Sequence, residues 1–206
     1  MATNTPTMAI PAQRLSDLVM AERPDRGAIA AHLDALDHAG RMEAIVALGG
    51  PKAQGRLWDA AAGSPPVAVG DLVPPDAPPL REVIFHGKNS LPAFTLFQKR
   101  FCRPPAGQPG DRLWGYNHQS LAWLTGPGYF VVHPEGDAPA AIDYRQVPPA
   151  QPPGWPAVKP NDVGLSRFVY RDMVDYLRRV SRHVLIGRAT RYGKELPNFF
   201  LLCRQP

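Results

Sequence analysis

The sequence predicts an α+β protein: short helices through its first third, then an antiparallel β-domain, either a barrel or a sandwich. Three observations carry this. Apolar residues recur at helical spacing up to residue 63. Six prolines fall between residues 64 and 79 and break that pattern. Beyond them, short aromatic and β-branched runs alternate with glycine and proline turns, the grammar of a small all-β unit. The expected organisation is a helical segment over 1–63, a proline-rich linker or strap over 64–79, and a β-domain over 80–206.

The helices follow from caps and spacing. Residues 1–11 are small and polar and read as a tail. Leu15, Leu18 and Val19 sit at i, i+3 and i+4, and Pro24-Asp25 ends this first helix. Asp25 can cap a second, with Ile29, Leu33 and Leu36 on its apolar face. Asp37 can cap a third, with Met42, Ile45, Val46 and Leu48, stopped at Gly49-Gly50. Pro51 suits the first turn of a fourth that carries Leu57 and Trp58. Helices this short bury little alone, so they must pack on another element or on a second copy, as in a homodimer.

The strand-like runs come next. Val83 to Phe85 leads into His86–Ser90, and residues 93–103 mix aromatics with Lys99 and Arg100. Leu113 to Tyr116, Tyr129 to His133, and Ala141 to Val147 come after, then a second proline-rich segment over 148–160. Leu165 to Tyr170, Arg182 to Thr190 and Asn198 to Arg204 read as the last strands. Between them, Met173, Leu177 and Val180 have helical spacing, which suggests a helical turn.

Composition narrows the classes of function. With 44% hydrophobic and 20% charged residues, the chain can bury a core. No run approaches the roughly 18 apolar residues of a membrane span. Residues 1–11 lack the basic and apolar regions of an export signal, so a cytoplasmic protein is expected, with Cys102 and Cys203 reduced and buried. Residues 1–160 hold 14 basic and 14 acidic side chains, whereas 161–206 hold nine and four. Those arginines alternate with apolar residues, so a solvated basic strand face is expected rather than a nucleic-acid surface.

The strings Phe168-Val169-Tyr170, Asp175-Tyr176-Leu177-Arg178-Arg179-Val180, Val184-Leu185-Ile186-Gly187 and Phe199-Phe200-Leu201-Leu202 with Arg204 carry a resemblance, as do Gly87-Lys88-Asn89-Ser90 and Lys99-Arg100-Phe101. Over 83–116 and 165–204 the chain resembles the bacterial GXWXG-type proteins of unknown function, although the namesake Gly-x-Trp-x-Gly is absent. The resemblance implies a lipocalin- or calycin-like antiparallel β-barrel that holds a small apolar ligand.

Several residue sets could carry chemistry. On a strand, Trp114, Tyr116 and His118 share one face with Asn117 opposite, and Trp123 comes soon after. Were that face inward, it would give a pocket an aromatic wall with one titratable ring; the alternative is ordinary core aromatics with His118 at the rim. Tyr170 with Asp175, Arg178 and Arg179 could receive a carboxylate, or Asp175 and Arg178 could simply pair locally. His86, Lys88 and Ser90 alternate on one face and could meet Asp143 in an acid–base site. The six histidines and two cysteines show no zinc spacing, so no metal is expected. A cofactor is not expected either, haem being the one candidate, with His118, His133 or His183 as axial ligand.

These sets support three functions. The first is a binding module for a small apolar or amphipathic molecule, with Trp114, Tyr116, His118, Trp123, Tyr170 and Arg178 as candidate contacts. The second is a cofactor-free isomerase, cyclase or lyase in the same pocket, with His118 or Asp143 as base. The third is an interaction or dimerisation module formed by the N-terminal helices.

Overall fold

A computed structural model describes residues 11–91, 95–119 and 126–206. Four ten-residue helices open the chain: α1 (Pro11–Met20), α2 (Arg26–Ala35), α3 (His38–Ala47) and α4 (Pro51–Ala60). The Asp25 side chain accepts from the Gly27 and Ala28 amides and Asp37 from the Gly40 amide, which satisfies orphan donors at each helix start. Pro51 occupies the first turn of α4, where no amide is missed. A four-residue helix, α5 (Val69–Leu72), lies within the first proline-rich segment.

Eight strands form the rest: β1 (Val83–Asn89), β2 (Leu96–Cys102), β3 (Leu113–His118), β4 (Tyr129–Glu135), β5 (Ala138–Asp143), β6 (Met173–Arg179), β7 (Val184–Arg191) and β8 (Lys194–Arg204). Each pairs antiparallel with the next, and β8 returns to β1, closing the barrel. The chain is therefore α+β, with an up-and-down eight-stranded barrel of the lipocalin kind behind a helical front. Closure leaves no edge strand among the described residues to pair with another chain.

Two local expectations are corrected. Residues 165–170 do not form a strand; they hold the short helix α6 (Ser166–Val169). The helical spacing over 173–180 belongs instead to β6, whose inward positions are Met173, Asp175 and Leu177. A charge at the middle inward position hides the strand alternation and leaves Met173, Leu177 and Val180 to mimic a helix.

Packing divides into three clusters. The apolar faces of α1–α4, through Leu15, Val19, Ile29, Leu33, Ile45 and Leu57, lie against Val184, Ile186, Leu201 and Cys203 on the outside of β7 and β8. These helix faces are thus occupied by the barrel itself. Inside the barrel, Phe85, Phe101, Leu113, Phe130, Val132, Ile142, Leu185 and Leu202 form the core. Val67, Leu72 and Val73 join that core at the end where β1, β3, β5 and β7 begin, and Arg179 pairs with Asp71 there, so the 64–79 segment closes one end. On the far outer face, Cys102, Trp114, Tyr116, Tyr129 and Val131 lie beneath Trp155 of the second proline-rich segment. Both cysteines are buried and unpaired.

Close approach explains three glycines. Gly87, Gly115 and Gly187 face Phe97, Phe130 and Phe200 across the strand pairs. A Cβ would meet the partner ring at 2.5 Å at Gly87, 2.2 Å at Gly115 and 2.1 Å at Gly187. Only glycine lets these rings lie flat on the backbone and fill a narrow barrel.

Candidate functional site

Among the described residues, nothing fills the end opposite the 64–79 plug. Here the barrel holds a cavity of about 500 Å3, within the range of small-molecule sites. Its wall is largely apolar: Phe97, Val169, Tyr170, Met173, Ala189 and Phe200 contribute, and the exposed Phe168 stands at its mouth.

The polar part is concentrated. Inward positions on three strands and the residue after β5 bring Lys99, Asn117, Asp175 and Tyr144 together. Lys99 and Asp175 are each 2% exposed. The Lys99 ammonium donates to Asn117 Oδ1 at 3.1 Å, to Asp175 Oδ2 at 3.1 Å and to the Tyr144 hydroxyl. Those are all three of its protons. Asn117 Nδ2 donates to the Tyr144 oxygen at 3.0 Å. The ammonium also lies 4.9 Å from the Phe200 ring centre and 5.1 Å from that of Phe130, within cation–π range.

Burial sets the electrostatics. It pulls the Lys99 pKa below the ordinary lysine value, against the charge and hydrogen bond of Asp175. It lifts the Asp175 carboxyl above the usual carboxylate range, with Lys99 opposing. It also raises Tyr144 well above the usual phenol, aided by the Asp175 charge, so that hydroxyl stays neutral. A buried pair of this kind is a costly arrangement unless its hydrogen bonds are complete. Here they are not. Asp175 Oδ1 and Arg191 Nε are buried with no hydrogen-bond partner among the described residues, and both side chains line the cavity.

No family model, curated protein or solved structure matches the chain. Its function is therefore read from the cavity and the groups that line it.

The residues singled out from the sequence are widely separated. Tyr170 lines the cavity, stacked on Tyr144 with ring centres 5.2 Å apart, and its hydroxyl accepts from Gln119. Trp114 and Tyr116 are on the outward face of β3, as packed aromatics rather than as a pocket wall. They pack outside the barrel, with Tyr116 4.7 Å from Trp155, while Asn117 points inward. His118 is exposed at the end of β3. Trp123 lies outside the described residues. Arg178 projects outward onto α4, its guanidinium 3.9 Å from the Trp58 ring centre and hydrogen-bonded to the Trp58 carbonyl.

Asp143 also points outward from the barrel, fully buried beneath the groups around it. It binds His133 Nε2 at 3.0 Å, Arg145 Nε at 2.8 Å and Gln146 Nε2 at 2.9 Å. These hydrogen bonds hold its carboxyl below the usual value although burial pushes it up. His133, Glu135 and Asp143 could in principle hold a metal ion. Arg145, however, already bridges Asp143 and Glu135, supplying the positive charge a cation would bring. His86, Lys88 and Ser90 do not meet Asp143: the His86 ring lies tilted against His38, ring centres 5.5 Å apart, and Ser90 accepts from the Phe199 amide. None of His118, His133 and His183 lines the cavity, so none stands where it could ligate a haem bound there.

Lys99, Asn117, Tyr144 and Arg191 are the functional candidates that sequence reasoning missed. One signal was present: Lys99 lies two residues from both Phe97 and Phe101, the position of a charge on an apolar face.

Proposed function

We propose that the protein is a binding module that holds a small amphipathic molecule in the open end of its barrel. The supporting observation is the cavity of about 500 Å3, apolar along much of its wall, with its charged groups confined to the Lys99–Asp175 pair beside Asn117 and Tyr144 and to Arg191, and with the amides of Asn89, Gln119 and Asn198 also on its lining. Apolar area supplies affinity, and a few fixed polar groups orient the occupant. The buried, unpaired Cys102 and Cys203 support a reducing, cytoplasmic setting.

The test is native mass spectrometry of the purified protein, with displacement of an environment-sensitive dye by medium-chain amphiphiles. Wild type is expected to release the dye, and Ala189→Phe, which fills the cavity from β7, to bind neither dye nor amphiphile. Failure of every amphiphile at millimolar concentration, with no co-purified molecule, overturns the reading.

A second reading, cofactor-free isomerisation, cyclisation or elimination, is favoured by one observation. Asp175 is a carboxylate on the wall of an apolar cavity, its pKa raised by burial, beside the neutral Tyr144 hydroxyl. Such a pair has the makings of an acid and a base. In this reading Asp175 takes the role expected of His118 or Asp143, neither of which reaches the cavity.

A further inference from the structure

Within the binding reading, the two orphaned atoms that belong to cavity-lining residues constrain the ligand's head group; the other two among the described residues, Arg41 Nε and Gln54 Oε1, are in the helical front. Among the described residues, Asp175 Oδ1 is an acceptor with nothing to accept from, and Arg191 Nε is a donor with nothing to donate to. Buried polar atoms without partners are rare in folded proteins and call for an explanation. Both residues line the same cavity, and both are on its β6–β7 wall. Met173 pairs with Arg191 and Asp175 with Ala189 across these strands, so Asp175 and Arg191 are diagonal neighbours on one inward face. Diagonal neighbours stand roughly 7–8 Å apart, within reach of two adjacent groups on one small molecule.

The lysine does not compete for the ligand. Its three protons are committed to Asn117, Tyr144 and Asp175, and its charge is balanced by Asp175. Of the charged groups, what remains buried without a partner is one carboxylate oxygen near the cluster and one guanidinium nitrogen towards the mouth. Arg191 Nη2 is held by the carbonyls of Phe168 and Val169, which fixes the guanidinium at the α6 side of the opening. A plain fatty carboxylate would satisfy Arg191 and leave Asp175 Oδ1 unpaired, with a second negative charge brought towards it. A plain alcohol would do the reverse.

We propose that the pocket takes an amphipathic acid whose head carries a hydrogen-bond donor beside the carboxylate, a hydroxy acid or amino acid with an apolar body. The hydroxyl or ammonium donates to Asp175 Oδ1, and the carboxylate accepts from Arg191 Nε. The body lies along Phe97, Tyr170, Met173 and Phe200.

This rests on the binding reading, and a matched eight-carbon series separates the two. Isothermal titration of the full chain would use octanol, octanoate, 3-hydroxyoctanoate and 2-aminooctanoate. A hydrogen bond to a charged group corresponds to about a tenfold to hundredfold gain. At least one of the two bifunctional acids is therefore expected to bind about tenfold or more tighter than octanoate. In Lys99→Met/Asp175→Leu, which removes both charges of the pair, that preference is expected to fall within about threefold while octanoate still binds. In Arg191→Gln, both acids are expected to weaken relative to octanol. If neither bifunctional acid binds about tenfold or more tighter than octanoate in the wild type, the head-group assignment is overturned but the pocket stands. No binding by any of the four overturns the pocket and this assignment with it. If the double variant does not fold, the wild-type series and Arg191→Gln still decide.

Discussion

Removing the amine of Lys99 should be among the most destabilising single changes available in the barrel. Lys99→Met keeps the volume and the apolar stem but leaves Asp175, 2% exposed, without its counter-charge and without the lysine hydrogen bond to Oδ2. Asn117 Oδ1 and the Tyr144 hydroxyl lose their shared donor as well. Breaking a buried ion pair from one side costs about 3–5 kcal/mol. For a chain of this length that is a fall in Tm of roughly 10 °C. Replacing both partners, as in Lys99→Met/Asp175→Leu, removes the uncompensated charge and should recover most of the loss, leaving the variant within about 1–2 kcal/mol of wild type. Urea denaturation at pH 7 on wild type, both single variants and the double variant measures the coupling directly. A cost below about 1 kcal/mol for Lys99→Met, or a double variant no better than the worse single one, would refute the view that these charges hold each other in place.

Three further outcomes are expected. Gly187→Ala places a Cβ 2.1 Å from the Phe200 ring and should cost about 1–3 kcal/mol by overpacking, read as a lower urea midpoint, with Phe200→Leu in the same chain restoring part of it. Trp155→Ala uncovers Tyr116 and Tyr129 and should cost about 3 kcal/mol, accompanied by faster proteolysis within 148–160 while far-UV circular dichroism is unchanged. Asp143 has its pKa lowered in the fold, so its stabilising contribution is present above the unfolded carboxylate value of about 4 and is lost as pH falls through the folded value. Asp143→Asn should therefore be less stable than wild type at pH 7 by about 2 kcal/mol and lose less on acidification, as urea midpoints between pH 6 and 2.5 would show.

The coarse fold was legible because its signals are local. Asp25, Asp37 and Pro51 mark helix starts through hydrogen bonds and backbone angles that need no tertiary context. The inward face of β3 was not legible. Leu113, Gly115 and Asn117 face the interior, whereas Trp114 and Tyr116 face a proline-rich strap, so both sides of the strand are buried and the more aromatic side is the outer one. Alternation tells inside from outside only when one face meets water. The site was hidden for a related reason. Its charges occupy inward positions where periodicity leads one to expect apolar residues, which made β6 resemble a helix and left Lys99 among the basic residues of a strand. Tyr144 and Arg191 come to the cavity from distant parts of the chain, and only barrel closure brings them there.

The plug formed by Val67, Leu72 and Val73 turns the barrel into a blind tube. A molecule in such a tube leaves by the route it entered, and its two ends meet different degrees of scrutiny. The end seated between Asp175 and Arg191 must match fixed partners, while the apolar body meets only the side chains of Phe97, Tyr170, Met173 and Phe200. Discrimination should therefore be graded along the ligand, strict at the head and permissive at the tail. Lengthening the chain by a few methylenes should slow departure more than it alters which head groups are admitted.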